Sequence, residues 1–178
     1  MIRRVVTAQS GGRSVIASDG PPVLTRRFEA TPGFATTVLW ATDLNAATPL
    51  EPGDDPTRSF IRMVPDAGET RLITVTVPPD SVMSDPAWDP AAAAAENAVH
   101  LYGLADHFEL ETPGMHRTDT IDYGVVLKGE IWLEVDGGEI AHLRAGDVVV
   151  QGGVRHAWRN RSAAPATLLF VLIGAAPA

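Results

Sequence analysis

The chain has 178 residues, a formal net charge of −8, 45% hydrophobic and 20% charged residues, and no cysteine, which suits one soluble domain with a single core. Acidic charge without a basic cluster argues against a nucleic-acid or anionic-membrane surface, and the lack of cysteine excludes disulfides, thiolate nucleophiles and sulfur-ligated metals. With no signal-peptide core and no run near the ~18 apolar residues of a membrane span, we expect a cytoplasmic protein whose partners are small molecules or a second copy of itself.

The N-terminal half predicts strands and one short helix. Alternating or β-branched stretches predict strands at residues 2–7, 13–17, 36–42, 60–64 and 71–77. Asp89 before Pro90 is a favoured helix start, followed by five alanines. A helix this short is marginal alone, so we expect it to pack on the sheet as a structural cap, with a lid as the functional alternative.

The C-terminal half is almost entirely strand and turn. Glycine-containing turns separate short strands predicted at residues 107–112, 116–118, 122–127, 131–135, 139–143, 147–151, 157–160 and 167–173. Short strands at this regular spacing are typical of a β-sandwich or a jelly-roll barrel. We therefore predict an all-β fold.

Two histidines and one carboxylate in this half are the candidate site: His116, Asp122 and His156. Residues six apart on a straight strand are ~20 Å apart at ~3.3 Å per residue, whereas metal ligands must lie within ~2.0–2.2 Å of the ion. If His116 and Asp122 share a ligand, the chain must turn at residues 119–121. That turn would place Thr118 and Asp122 on neighbouring strands.

At these residues the sequence resembles the cupins, in particular the small single-domain bacterial cupins. The first motif reads His-Arg-Thr-Asp-Thr-Ile-Asp-Tyr-Gly from His116, and the second contains Gly-Asp-Val-Val-Val-Gln from Gly146. The positions that match the cupin pattern are His116, Asp122 in place of a glutamate, and Gly129 in the first motif, and Gly146, His156 and Asn160 in the second. Thr118 replaces the second histidine, Gln151 stands where proline is usual, and the second motif is one residue short.

The resemblance covers residues 104–174 well and the N-terminal half weakly. It implies a cupin double-stranded β-helix, a jelly-roll barrel with additional N-terminal strands and one short helix. It also implies a single domain over residues 1–178, in which residues 1–103 pack on a barrel formed by residues 104–174. Cupins are commonly homodimers, so we expect one here. Trp132 falls on the strand face opposite Ile131 and Leu133, which suits a subunit interface.

The resemblance further implies a divalent metal, Zn, Fe, Mn or Ni, bound by His116, Asp122 and His156. Such a set resembles both the facial arrangement of non-haem iron enzymes and a three-ligand zinc site. His107, Glu111 or Thr118 would complete the shell. We also expect Thr118, Tyr123, Gln151, Trp158 and His107 to line the substrate pocket, with core filling as the alternative for Trp158. His100 and His142 are expected at the surface.

The function hypothesis is a metal-dependent cupin enzyme of the lyase, dehydratase, decarboxylase or isomerase type. The metal would act as a Lewis acid on an oxygen of a small polar organic molecule. Without a metal, His116 or His156 would be the general base and Asp122 would orient it. The alternatives are an Fe(II)-dependent dioxygenase and a small-molecule-binding module without turnover.

Overall fold

The computed structural model describes residues 2–59 and 62–177, which form eleven strands and the helix α1 (Pro90–His100). The strands are β1 (Arg4–Ser10), β2 (Arg13–Gly20), β3 (Leu24–Arg27), β4 (Ala35–Thr42), β5 (Thr70–Val77), β6 (Thr120–Lys128), β7 (Glu130–Val135), β8 (Ile140–Arg144), β9 (Val148–Gln151), β10 (His156–Arg159) and β11 (Ala166–Gly174).

The strands form three antiparallel sheets. A six-stranded sheet has the order β3-β4-β5-β11-β6-β9, a three-stranded sheet has the order β10-β7-β8, and β1 and β2 form a separate hairpin. Consecutive strands are exchanged between the two larger sheets, with β6 in one, β7 and β8 in the other, and β9 back in the first. This exchange gives the jelly-roll barrel of the double-stranded β-helix, so the predicted fold class is confirmed.

The core lies between the two larger sheets. In β11 buried and half-buried residues alternate, because successive side chains of a strand point to opposite faces. Leu168 and Phe170 of β11 pack in one cluster with Ile131 of β7. Phe28 and Leu101 join the same cluster, so residues before and after position 104 share one core.

Most strand predictions are confirmed, three are corrected and one strand was missed. Residues 116–118 form no regular strand, because only His116 makes isolated bridges, to Phe108 and His156. Residues 107–112 form no regular strand: a 3-10 turn covers Ala105–His107 and only Phe108 makes a bridge, to His116. Residues 62–64 are not a strand, while Phe60 and Ile61 lie outside the described residues. The short edge strand β3 was not predicted, because Leu-Thr-Arg-Arg lacks an apolar alternation.

The helix begins as the sequence predicts. The Asp89 carboxylate accepts hydrogen bonds from the N–H groups of Ala91, at 2.8 Å, and Ala92, at 3.1 Å, and Pro90 occupies the first turn. Further along α1 the Glu96 carboxylate accepts the N–H groups of Glu29 and Ala30. These bonds fix α1 to the segment before β4, which is the structural role expected of it.

Asn160, one of the residues that match the cupin motif, is fully buried and satisfies four hydrogen bonds. Its Nδ2 donates to the carbonyls of Val77 and Ala164, both at 2.9 Å, and its Oδ1 accepts the N–H and O–H of Ser162. The amide therefore ties the turn before β11 to the end of β5.

We expect Asn160→Ala to lower the free energy of unfolding by about 2–4 kcal/mol, because it leaves several buried partners unsatisfied. Urea titration followed by circular dichroism measures this loss. The control is Asn45→Ala in an exposed loop, which should stay within about 0.5 kcal/mol of the wild type. An equally small effect of Asn160→Ala would contradict the assigned role.

Candidate active site

The two predicted histidines lie side by side on adjacent segments of the barrel wall. His116 and His156 exchange both backbone hydrogen bonds, His116 N–H to His156 O at 2.9 Å and His156 N–H to His116 O at 3.0 Å. Their ring centroids are 4.3 Å apart. His156 is buried at the start of β10, while His116 is half-buried. The structure thus brings together two residues that are 40 positions apart in sequence.

The hydrogen bonds of the two rings define their tautomer. Nδ1 of His116 is 3.1 Å from the carbonyl oxygen of Gly114, and Nδ1 of His156 is 2.9 Å from that of Val154. A carbonyl oxygen only accepts, so each Nδ1 carries the hydrogen and each Nε2 keeps its lone pair in the neutral ring. Both imidazoles therefore offer Nε2 as an acceptor or a metal ligand.

Burial keeps both rings neutral at physiological pH. It lowers the pKa of His116 to about 4, with a smaller contribution from repulsion by His156 and another from His107. Burial also lowers the pKa of His156. A lowered pKa makes an imidazole a weaker base, so these rings suit hydrogen-bond acceptance or metal ligation better than proton abstraction.

Asp122 lies on the inner face of β6 and is only 7% exposed. Burial raises the pKa of Asp122 to about 6, and a hydrogen bond from Thr120 offsets part of this rise. Oδ1 of Asp122 has no hydrogen-bond partner among the described residues. A buried carboxyl group whose pKa lies near the working pH can both take up and release a proton.

Two earlier expectations for Asp122 are corrected. The chain bends at Asp119, but Thr120 already belongs to β6, and the residues opposite Asp122 are Gln151 of β9 and Leu172 of β11. Thr118 is therefore not across from Asp122 on a neighbouring strand. Asp122 also does not orient either imidazole, because backbone carbonyls occupy both Nδ1 atoms.

Thr118 is part of a buried row of hydroxyl groups. It is 4% exposed, and its Oγ1 is 2.8 Å from Oγ1 of Thr120, itself 1% exposed. Thr120 also hydrogen-bonds Asp122, so the residue that replaces the second cupin histidine is linked to the acid through the hydroxyl group of Thr120.

Gln151 lies directly opposite Asp122 in the pairing of β6 with β9. It is 4% exposed, and its Nε2 has no hydrogen-bond partner among the described residues. An unpaired donor and an unpaired acceptor therefore lie side by side on the inner wall. Such orphaned buried groups are rare in folded proteins and call for a functional explanation.

The other predicted pocket residues have different outcomes. Trp158 packs near His156, with ring centroids 6.0 Å apart, and against Phe170, at 5.5 Å, so it joins the site to the core. His107 is close enough to influence the pKa of His116. Tyr123 is 52% exposed between buried Asp122 and Gly124. It faces outward, and its placement in the pocket is wrong.

Residues expected outside the site are found there. Trp132 lies opposite buried Ile131 and stacks on His142, with centroids 4.2 Å apart. His142 Nε2 also pairs with Glu130 at 2.7 Å. His100 is half-buried and packs on Phe28 rather than lying freely at the surface.

A missed ionic cluster supports the loop before His156. Arg155 bonds both carboxylate oxygens of Glu109, at 2.6 and 2.7 Å, and also Asp136, at 2.6 Å. These partners come from loops far apart in sequence, so no motif indicates them. The bidentate pair positions the backbone next to His156.

The donor set for a metal is incomplete in this arrangement. Within residues 2–59 and 62–177, no three His, Asp or Glu side chains are grouped so that they could hold a metal ion. The aspartate at position 122 is one methylene shorter than the glutamate of the cupin pattern, and Thr118 supplies no imidazole. Two imidazoles alone fall short of the three protein ligands typical of a catalytic zinc site.

Comparison with known proteins identifies this part of the chain. A family model described as a cupin domain matches residues 109–172. Phomopsin biosynthesis cluster protein C' of Diaporthe leptostromiformis is 56% identical over 64 residues, which cover 35% of this chain and 34% of that protein. A cupin-domain-containing oxidoreductase of Hypocrea virens is 39% identical over 66 residues, covering 35% and 34%.

Among solved structures, the Cupin_2 domain of an XRE family transcriptional regulator from Enterobacter cloacae is similar with a TM-score of 0.35 and 16% identity, over 61% of this chain and 83% of that one. Residues 109–172 are a cupin domain. The chain matches about a third of the length of these curated relatives. Within the described residues, no helix is long and apolar enough to cross a membrane.

Proposed function

We propose that this cupin is an enzyme that moves a proton next to a carbonyl or enol oxygen of a small polar organic molecule. The reaction class is a lyase, dehydratase, decarboxylase or isomerase step. The observation that carries the proposal is the Asp122 carboxyl group, buried in the barrel with one oxygen unpaired and a pKa of about 6. Asp122 is the proton carrier, in place of the histidine base that the sequence predicts.

The remaining residues have supporting roles. His116 and His156, held neutral by burial, accept hydrogen bonds from the substrate through Nε2. Thr120 bonds the Asp122 carboxylate and stabilises its charged form. Trp158 supplies an apolar wall next to His156. The site thus combines one titrating acid with neutral positioning groups.

The test is deuterium incorporation from D₂O into a panel of small hydroxy-carbonyl and keto compounds, followed by proton NMR. We expect the wild type to catalyse exchange and Asp122→Asn to lower the rate by about 10²-fold or more, since general acid–base catalysis contributes ~10²–10⁴-fold. His116→Gln and His156→Gln should mainly raise KM. Exposed Asp119→Asn is the control. An Asp122→Asn variant as active as the wild type would refute the proposal.

A metal-dependent reaction is the second candidate. The free Nε2 atoms of His116 and His156 favour it. The described residues assemble no three-ligand centre for a metal. The predicted ligand set of His116, Asp122 and His156 therefore stays a prediction, as does the homodimer with Trp132 at its interface.

Elemental analysis of protein purified without chelators separates the two candidates. We expect well below one equivalent of Zn, Fe, Mn or Ni, because a missing ligand weakens binding. About one equivalent that disappears in His116→Ala and His156→Ala would instead establish the metal-dependent version. Oxygen consumption after anaerobic reconstitution with Fe(II) would then identify an oxygenase.

A further inference from the structure

The unpaired groups of Asp122 and Gln151 describe the ligand that this wall accepts. The two residues are direct cross-strand partners on β6 and β9, and both are more than nine-tenths buried. Cβ atoms of such partners are about 5 Å apart, so the two side chains project from the same patch of the inner wall. Oδ1 of Asp122 and Nε2 of Gln151 are both unpaired, so they do not bond each other.

The unpaired groups on this part of the wall are one donor and one acceptor. Gln151 Nε2 is a donor without a partner, and Asp122 Oδ1 is an acceptor without one. A complementary ligand brings one acceptor and one donor. A carbonyl oxygen beside hydroxyl groups meets this requirement.

Charge narrows the ligand class further. Arg155, the arginine next to His156, is already paired with Glu109 and Asp136. Asp122 and Gln151 themselves bring no positive charge to this wall. A carboxylate or phosphate would find no counter-charge from them and would face the Asp122 carboxylate, so the site favours a neutral molecule.

We propose that the site binds a neutral hydroxy-carbonyl compound, with its carbonyl oxygen on Gln151 Nε2 and an adjacent hydroxyl on Asp122 Oδ1. This inference rests on the proposed function in taking the barrel interior as the substrate site. It adds Gln151 as the residue that reads the carbonyl group and polarises it for proton transfer at the neighbouring carbon.

Binding of three-carbon probes tests the inference without any turnover. Dihydroxyacetone carries both groups, glycerol lacks the carbonyl and acetone lacks the hydroxyls. In saturation-transfer NMR titrations we expect dihydroxyacetone to bind the wild type at least tenfold more tightly than glycerol or acetone. Equal binding of the three probes, or no binding of any, would overturn the inference. Water would then be the partner of the two unpaired atoms.

Two variants assign the contacts. Gln151→Met removes the donor and keeps nearly the same side-chain length. It should weaken the binding of dihydroxyacetone at least tenfold and leave the binding of glycerol unchanged. The exchanged pair Asp122→Asn/Gln151→Glu again presents one donor and one acceptor, in reversed order, and should keep the preference for dihydroxyacetone over glycerol. The control is Val150→Thr, because Val150 precedes Gln151 on β9 and is exposed. Circular dichroism checks that each variant is folded.

The outcomes are distinguishable from failure of the proposed function. Selective binding that Gln151→Met abolishes, without deuterium exchange, supports the ligand class and refutes the enzyme. Exchange that Gln151→Met leaves unchanged refutes the role of Gln151. Loss of the preference in the exchanged pair, if it is folded, also counts against the paired contact.

Discussion

Asp122→Asn is expected to stabilise the protein increasingly as the pH rises. Burial raises the pKa of Asp122 from 3.8 to about 6. The folded state therefore binds the Asp122 proton more tightly than the unfolded state does. The stability from this group is fully present below pH 3.8 and is lost as the pH rises through about 6. Asparagine does not titrate, so the variant avoids the loss.

The size of this effect follows from the shift. A difference of about two pKa units, at about 1.4 kcal/mol each, makes the advantage of Asp122→Asn grow by roughly 2.5 kcal/mol between pH 4 and pH 7. His116, whose pKa is lowered, destabilises the fold in acid, but it is present in both proteins and so largely cancels from their difference.

Urea unfolding of wild type and variant at pH 4, 5, 6 and 7 measures the difference. Asp119→Asn, at a side chain that is 50% exposed, should show no such trend. If the difference in unfolding free energy between wild type and Asp122→Asn does not change with pH, burial does not destabilise the carboxylate form of Asp122. A stabilised variant that has lost turnover would mark Asp122 as a residue kept for function at the expense of stability.

The position of Asp122 also shows how far the sequence predicts this site. Thr118, Thr120 and Asp122 are two residues apart, which is the strand period, and all three are buried. Assuming a shared metal with His116 demanded a turn at this point, and that assumption led to the wrong strand assignment. The same alternation places Tyr123 on the outer face, so the sequence itself argues against Tyr123 as a pocket residue.

Other features of the site were beyond sequence reasoning. The cupin resemblance pairs His116 with His156, but the carbonyls of Gly114 and Val154 that set their tautomer depend on local backbone geometry. The orphaned Nε2 of Gln151 depends on the register of β6 with β9. Burial and register are tertiary properties, and they decide which of several polar residues can act.

The fold itself was more accessible. Clean alternation identified β5, and turn residues identified the β1–β2 hairpin. The failures were short segments without their own pattern, such as β3, which pairs only at the sheet edge. Residues 107–112 looked extended but find no strand partner beyond the bridge of Phe108 to His116, because a strand exists only where a neighbour accepts its hydrogen bonds.

Gly174→Ala is expected to prevent stable folding, with a loss of at least about 3 kcal/mol. A Cβ at this position would lie 1.9 Å from the carbonyl oxygen of Asp66 and 2.5 Å from its carbonyl carbon. The contact is with backbone, which cannot rotate away as a flexible side chain does. Gly174 also donates its N–H to Glu69 O and accepts the N–H of Gly68, each at 3.0 Å, so any retreat breaks the link between β11 and the loop before β5.

The matched control is Gly152→Ala, since a Cβ there meets no atom within 4 Å and its φ is not positive. We expect the free energy of unfolding of this variant to lie within about 0.5 kcal/mol of the wild-type value. Thermal unfolding followed by circular dichroism, with soluble yield as a second readout, compares the two. Because β11 lies between β5 and β6 at the centre of the six-stranded sheet, loss of this link should also disturb the strand that carries Asp122. A Gly174→Ala protein as stable as Gly152→Ala would mean that the loop moves aside at little cost, and that β11 does not depend on it.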